Sequence, residues 1–275
     1  FPAADTFTVE TSGSEAIRID SSGRLLVGGT SSSGHNAKIQ SIDAHPLQLH
    51  RGVSGTGGPN ISISKSRNAT YGSFTVVQDG DTLGTIQFKG DDGSDYQTDA
   101  VAIQAQVDGT PGSNDMPGRL LFSTTADGAS SVTERLRITS RGDFIFSNGS
   151  LIEKVNITAG KLSDNTNIDL ENGMAHFFTT TESTTCTPNI RVSSSKALND
   201  VMSIGDVISV SIITTAAAAG YSAQLTIDGG VVTEEWNGGS PPNEGGAGGF
   251  DFYSYSIIKT ANATFTVLAN LSNFA

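Results

Sequence analysis

The carboxylates are the first residues to test for chemistry. Asp79 and Asp81 stand in "DGD", and Asp91, Asp92 and Asp95 in "DDGSD", spacings at which hard oxygens can chelate Ca²⁺. An EF-hand loop also needs ligands at regular alternate positions and a closing Glu, and neither is present. Both runs are expected to be solvated Asp-Gly turns. Glu234 and Glu235 raise glycoside hydrolysis, which needs two carboxyl groups about 5–10 Å apart across a glycosidic bond. Being adjacent, they point to opposite faces of a strand. Cys186 in "TTCTPN" has no nucleophile motif around it, and an inert thiol is expected. No G-x-S-x-G elbow, phosphate loop or H-E-x-x-H occurs. His45 and His50 flank Pro46 five residues apart, which suits a turn or core better than metal ligation. No catalytic, cofactor-binding or metal-ligating residue is assigned, and no enzymatic activity is expected.

One stretch has the makings of a contact surface. "EEWNGGSPPNEGGAGGFDFY", Glu234 to Tyr253, carries the single Trp of the chain, two prolines and six glycines between two strand-like runs. That is too long for a tight hairpin, and long loops on rigid β scaffolds commonly carry binding. Trp236, Asn237, Asn243 and Glu244, joined by Tyr253 and Tyr255, are the candidate contact residues. Aromatic rings stack on sugar faces, and amides and carboxylates hydrogen-bond hydroxyls. The competing reading makes Trp236 a core anchor of the loop.

The elements that must position such a loop are strands. The chain has 275 residues, 32 of them Gly, with only 16% charged and a net charge of −12. Short alternating runs closed by Asp-Gly or Lys-Gly, as in "TLGTIQFKG", "AVAIQAQVDG" and "GRLLFSTTADG", read as hairpins. A strand is also expected at Ile61 and Ile63, and another within "SFTVV". After residue 150 the runs lengthen: "AHFFTTT", "DVISVSIITT", "FDFYSYSIIKT" and "TFTVLANL". In the second of these Ile208, Val210 and Ile212 share one face, with Ser209 and Ser211 on the other. A turn or two of helix is expected only around Lys196–Met202. The fold class is therefore all-β, with a repeat-containing β-rich region over 1–150 and a β-sandwich or jelly-roll-like domain over 151–275.

Composition also sets limits on partners. The acidic balance excludes nucleic acid and anionic membrane surfaces, because nothing neutralises phosphates. No run reaches the roughly 18 apolar residues of a membrane-spanning helix. "FPAADTFTVE" lacks a basic stretch followed by an apolar one, so no secretory leader is expected there. A single Cys excludes an intrachain disulfide; stability must come from burial or oligomerisation, and assembly in a reducing compartment is allowed.

A repeat links the first half together. "SEAIRIDSSGRLLVGG" (14–29) and "TERLRITSRGDFIFSNG" (133–149) align at a constant offset, with Glu15 on Glu134, Arg18 on Arg137, Ser21 on Ser140 and Gly23 on Gly142. The apolar phase is kept: Ile17, Ile19, Leu25 and Val27 answer to Leu136, Ile138, Phe144 and Phe146. Two copies with matched charge, phase and turn indicate a reused strand-turn-strand unit. Leu136, Ile138, Phe144 and Phe146 are expected to be buried, within one chain or across subunits. A two-stranded hairpin is marginal in water by itself, and intertwined copies would close its open edges.

Three passages resemble tail-fibre and related structural proteins of marine, cyanophage-like tailed bacteriophages. They are "TVVQDGDTLGTIQFKGDDGSDY", "AQVDGTPGSNDMPGRLLFSTTADGASSVTERLRITSRGDF", and the last hundred or so residues, with "VSIITTAAAAGYSAQLTIDG", "EEWNGGSPPNEGG" and "SYSIIKTANATFTVLANLSNFA". The resemblance implies a homotrimeric fibre, with 1–150 as shaft and 151–275 as head. It also implies a virion location in a tail appendage, extracellular after release, with other virion proteins and a host-surface glycan as partners. Alternatives within that resemblance are a head-attached fibre, an adaptor without receptor contact, and a glycan-cleaving tailspike. Two family features are not matched. No passage resembles a self-cleaving chaperone domain, and the four histidines, His35, His45, His50 and His176, form no His-x-His pair.

Overall fold

The structure, a computed structural model, describes residues 6–21, 24–27, 37–39, 47–70 and 72–274. His35, His45 and the turn glycine Gly23 fall outside them. The described residues form strands and two 3-10 turns, with no α-helix among them. The chain divides into two compact units, Phe1–Ser147 and Asn148–Ala275.

The first unit holds two sheets. β1 (Phe7–Thr11), β2 (Ser14–Ile19), β3 (Leu25–Val27) and β4 (Ala37–Ile39) form one, in sequence order. β5 (Thr82–Lys89), β6 (Asp99–Val107), β7 (Gly118–Thr124), β8 (Thr133–Ile138) and β9 (Phe144–Phe146) form an antiparallel meander. The expected strands at Ile61/Ile63 and within "SFTVV" are absent: the described residues of 47–81 contain no strand. Their backbone is used otherwise. Arg67 donates from its backbone N–H to Thr75 O and forks its guanidinium onto Asp81. Ile63 lies over β5, where its Cγ2 fills the space a Cβ on Gly84 would need.

The repeat is larger than the sequence suggested. Strands β1–β3 and β7–β9 are two copies of one three-stranded module. Val9 pairs with Ile17 and Glu10 with Glu15, so Ala16 is an extra residue in β2. Phe122 pairs with Leu136 and Ser123 with Glu134, so Arg135 is the extra residue in β8. Positions 16 and 135 are equivalent in the repeat. A bulge of this kind adds one residue to one strand and re-aims its side chains. Glu and Arg three apart on a regular strand face opposite ways; across the bulge they face the same way. Glu15 accordingly takes two hydrogen bonds from Arg18, and Glu134 two from Arg137, at 2.6–2.7 Å in both copies.

The cross-strand registers assign the two faces of the meander. One is polar and laced together. Gln104 donates to Thr85, Gln106 to Gln104, and Arg119 to both Gln106 and Asp108. The other face is apolar, running from Ile86 and Phe88 through Ile103, Phe122, Leu136 and Ile138 to Phe144 and Phe146. Within one chain the expected burial is incomplete, and burial across subunits is left to the proposal below. Leu136 and Ile138 are half-buried, and Phe144 and Phe146 are 66% and 50% exposed. Ile63 packs over Gly84 on this face, Ile86 and Phe88 stay exposed, and among the described residues of this unit no second layer covers the β9 end. The other module shows the same open face, with Phe7, Val9, Ile17, Ile19 and Leu25 all exposed.

The second unit is a sandwich. Its larger sheet has the order β10 (Val155–Thr158), β12 (Ala175–Glu182), β14 (Val207–Ala216), β18 (Phe250–Ala261), β19 (Thr264–Phe274), β17 (Glu234–Trp236). The smaller has β11 (Asn167–Asp169), β13 (Asn189–Arg191), β15 (Thr226–Ile227), β16 (Gly230–Val231). Ile168, Ile190 and Ile227 of the small sheet share one core with Phe178, Val210, Ile212, Tyr253, Tyr255, Ile257 and Val267 of the large one. The alternation read in β14 holds: Val210 and Ile212 are buried, while Ser209 and Ser211 face outward. The expected short helix is a 3-10 turn at Leu198–Asp200, where Asp228 accepts the Leu198 and Asn199 N–H groups at 2.7 and 2.9 Å.

Candidate functional site

The candidate loop leaves β17 and returns as β18. Strand β17 pairs in parallel with β19, so Trp236 stands beside Ala269 and Glu235 beside Leu268. Trp236 points inward and is half-buried. Its ring meets Tyr255 edge-on, with centroids 6.2 Å apart. It packs on the sandwich core, which is the anchoring role that competed with ligand contact in the sequence. Its neighbours Glu234 and Glu235 point to opposite faces, as alternation predicts. Glu234 accepts the Leu225 N–H, and Glu235 is exposed.

Tyr253 and Tyr255 are corrected. Both are inward positions of β18 and only 1% exposed, because they stand on the face that carries Asp251, Ile257 and Lys259. Their rings stack at 6.4 Å, and the Tyr253 hydroxyl accepts the Ser222 N–H. Burial pushes both phenols up from their ordinary range. Neither ring reaches the surface.

Asn237, Asn243 and Glu244 are exposed. Asn237 is held in place: its N–H donates to Ala269 O, and its amide donates to Asn270 Oδ1 at 3.0 Å. Beyond the tip the loop docks firmly. Gly245 donates to Ala218 O and Gly248 to Ala216 O. A Cβ on Gly245 would come within 2.5 Å of Ala217 O and 2.6 Å of Gly220 O, so only glycine fits there. The loop is a docked ledge, exposed along most of 237–244 and again at Ala247 and Gly248.

A shallow groove of about 320 Å³ runs beside it, lined by Glu235, Asn237, Ser254, Ser256, Leu268 and Asn270 with Trp236 and Ala269. Four of its outward-facing members were not singled out in the sequence: Ser254, Ser256, Leu268 and Asn270. Alternation along β18 and β19 does place them outward. The parallel docking of β17, which brings Glu235 and Asn237 to them, leaves no local signal. A second hollow, of about 490 Å³, lies at the end of the small sheet. Arg191 there is engaged by Asp169 at 2.5 Å, and Lys196 lies 3.9 Å from Asp200.

The remaining candidates have structural duties. Asp81 is held well below the usual carboxylate range by the Arg67 guanidinium and the Gln78 N–H. Asp91, Asp92 and Asp95 accept backbone N–H groups two or three residues ahead, the turn chemistry expected of them. Cys186 is buried, which pushes its thiol up to about 12. His176 is buried on β12, its Nε2 at 3.0 Å from Gly173 O, and burial lowers its pKa. Glu182, 1% exposed, accepts from Ser163, Ser183 and Thr184 through five hydrogen bonds.

No family model matches the chain, and no curated protein sequence matches it. Among solved structures it is similar to the carboxy-terminal domain of the bacteriophage T5 L-shaped tail fibre. The TM-score is 0.40 at 16% identity, covering 50% of this chain and 61% of that one. The same domain with its intra-molecular chaperone domain gives 0.41 at 16% identity, covering 50% and 42%. The match thus spans less than two thirds of either solved chain.

Proposed function

We propose that the chain is a structural part of a tailed-phage virion, a homotrimeric tail fibre with residues 1–150 as shaft and 151–275 as a head that takes part in host-surface attachment. One observation carries this reading: both copies of the three-stranded module leave an apolar face open while lacing the opposite face with side-chain hydrogen bonds. A Phe side chain has about 150–250 Å² to bury. Covering Phe144 and Phe146 alone removes roughly 200 Å² from water, about 5 kcal/mol per chain at ~25 cal/mol per Å², before the cost of association. Three sheets with apolar faces inward form a prism that shares one core and keeps the polar faces in solvent. The resemblance of the three sequence passages to phage tail-fibre proteins agrees with this arrangement.

In this reading the exposed ledge, Asn237, Asn243 and Glu244, meets the host surface, with Trp236 holding it in place. It has no Lys or Arg, which suits neutral hydroxyl-rich glycans, and three copies multiply weak contacts through avidity. The test is adsorption of the purified protein to host cells. Changing Asn237, Asn243 and Glu244 together to Ala should reduce adsorption while the assembled mass is unchanged. Unchanged adsorption removes the ledge as the contact site. Shortened products after incubation with host polysaccharide would replace the attachment reading with a cleaving tailspike.

A further inference from the structure

The large sheet of the second unit has a second face that the core does not use. Its outward positions follow from the registers of β10, β12, β14, β18, β19 and β17. Across its centre Ser209 stands opposite Ser256 and Ser211 opposite Ser254. At one end Phe177 meets Phe250 edge-on at 5.8 Å, with Phe252 and Phe274 beside them. Ile157 and Val207 are 67% and 60% exposed, and Leu268 is 49% exposed. Glu235 is the one charged residue among these outward strand positions.

That charge pattern is unusual for this chain, whose net charge is −12. Two copies repel one another wherever their carboxylates approach, and the effect is weakest where charge is absent. Depletion of charge together with enrichment in aromatic rings is the compositional mark of an interface centre. Size agrees as well. Six strands at about 4.8 Å spacing, three to twelve residues long at about 3.4 Å per residue, make a face of roughly 750 Å². A stable interface takes about 800 Å² from each partner.

We infer that the outer face of the β10-β12-β14-β18-β19-β17 sheet is a self-association surface, and that its partners are the same faces on the other copies of this chain, gathered about the trimer axis. This goes beyond the fibre reading, in which the open faces of the first unit hold the copies together. It makes the second unit an assembly element in its own right.

Thiol labelling of the full chain tests the inference. The native Cys186 is buried and its thiol is pushed up to about 12, so one introduced cysteine is the only reactive one. Ser209→Cys reports the face. Ser240→Cys, on the exposed loop, is the reference. A covered face should slow maleimide labelling at position 209 at least about tenfold relative to position 240. Adding Leu268→Arg should restore fast labelling. Ile157→Arg, at a more exposed position of the same face, serves where Leu268→Arg fails to fold. Equal rates at 209 and 240 overturn the inference, and so does slow labelling that neither arginine relieves. Light scattering on the same samples separates the two readings. A multi-chain mass with fast labelling at 209 overturns this inference alone, whereas a single-chain mass overturns the fibre reading as well.

Discussion

Phe144 and Phe178 are both strand phenylalanines in alternating sequence, yet one is 66% exposed and the other 2%. The difference lies in what stands above each strand. Phe178 faces a second sheet, and its unit places seventeen apolar residues out of solvent; among the described residues of the other unit only Leu26, Val77, Ala102, Val107 and Leu121 reach that state. A sheet without a covering layer has a face but no core. The second unit encloses a core within one chain, whereas the apolar face of the first stays open in one chain.

The same substitution in both phenylalanines sharpens the contrast most. Phe178→Ala should cost about 3–5 kcal/mol, read by urea unfolding through the single Trp of the chain, Trp236, which lies in the second unit. Phe144→Ala should leave that Trp transition in place and instead weaken assembly, so that its effect grows on dilution. A concentration-independent loss of several kcal/mol at Phe144 would break the contrast.

Buried carboxylates give the next largest effect. Burial opposes ionisation of Glu182, but the donors from Ser163, Ser183 and Thr184 outweigh it, and its pKa is lowered from the ordinary 4.5. A depressed carboxylate stabilises above its unfolded value and loses that contribution as pH falls through its folded value. Glu182→Gln should cost about 2–3 kcal/mol at pH 7, with the deficit shrinking as pH is lowered below 4.5. Asp251 has the opposite sign. Burial raises its pKa above 3.8, with Asn273 and Gly246 only partly offsetting it. Its contribution is therefore best in acid and declines as pH climbs through the folded value. Asp251→Asn, which keeps an oxygen for both donors, should stabilise at neutral pH by about 1 kcal/mol. Equal responses of the two variants would remove the distinction between a satisfied and an under-satisfied buried carboxylate.

Smaller again is the ion pair set by the bulge. Glu134→Gln should cost about 0.5–1 kcal/mol, since the pair is partly exposed, and less at high salt. Deleting Arg135 is the sharper cut. It removes the bulge, sends Glu134 and Arg137 to opposite faces, and should be far worse than Arg135→Ala by thermal melting. Similar melts would show that the bulge sets no register.

Much of this was legible in the sequence. The alternation of Ile208, Val210 and Ile212 against Ser209 and Ser211, the opposed Glu234 and Glu235, and the turn at Lys196–Met202 all follow from local periodicity. Tyr253 and Tyr255 obey the same periodicity and not the loop's chemistry: they share the inward face of Asp251 and Ile257. The segment 47–81 carried strand-like apolar residues without a pairing partner, and a lone β pattern does not reveal whether a neighbouring strand exists. The bulge was concealed in plain spacing. Glu-x-x-Arg, repeated at 15/18 and 134/137, makes an ion pair on a strand only when a residue is added between the two. Glu235 and Asn237 meet Leu268 and Asn270 through a parallel pairing that spans more than thirty residues, beyond the reach of a local pattern.

In the proposed fibre the open apolar face of the first unit is what holds the copies together. The decisive measurement is the mass of the full chain in solution, by light scattering at micromolar concentration, with and without Phe144→Asp and Phe146→Asp together. The account predicts three times the 28.4 kDa of one chain for the unaltered protein. It also predicts a smaller species for the double variant, with the Trp236 unfolding transition kept. A folded, stable protein of single-chain mass before any substitution would contradict it.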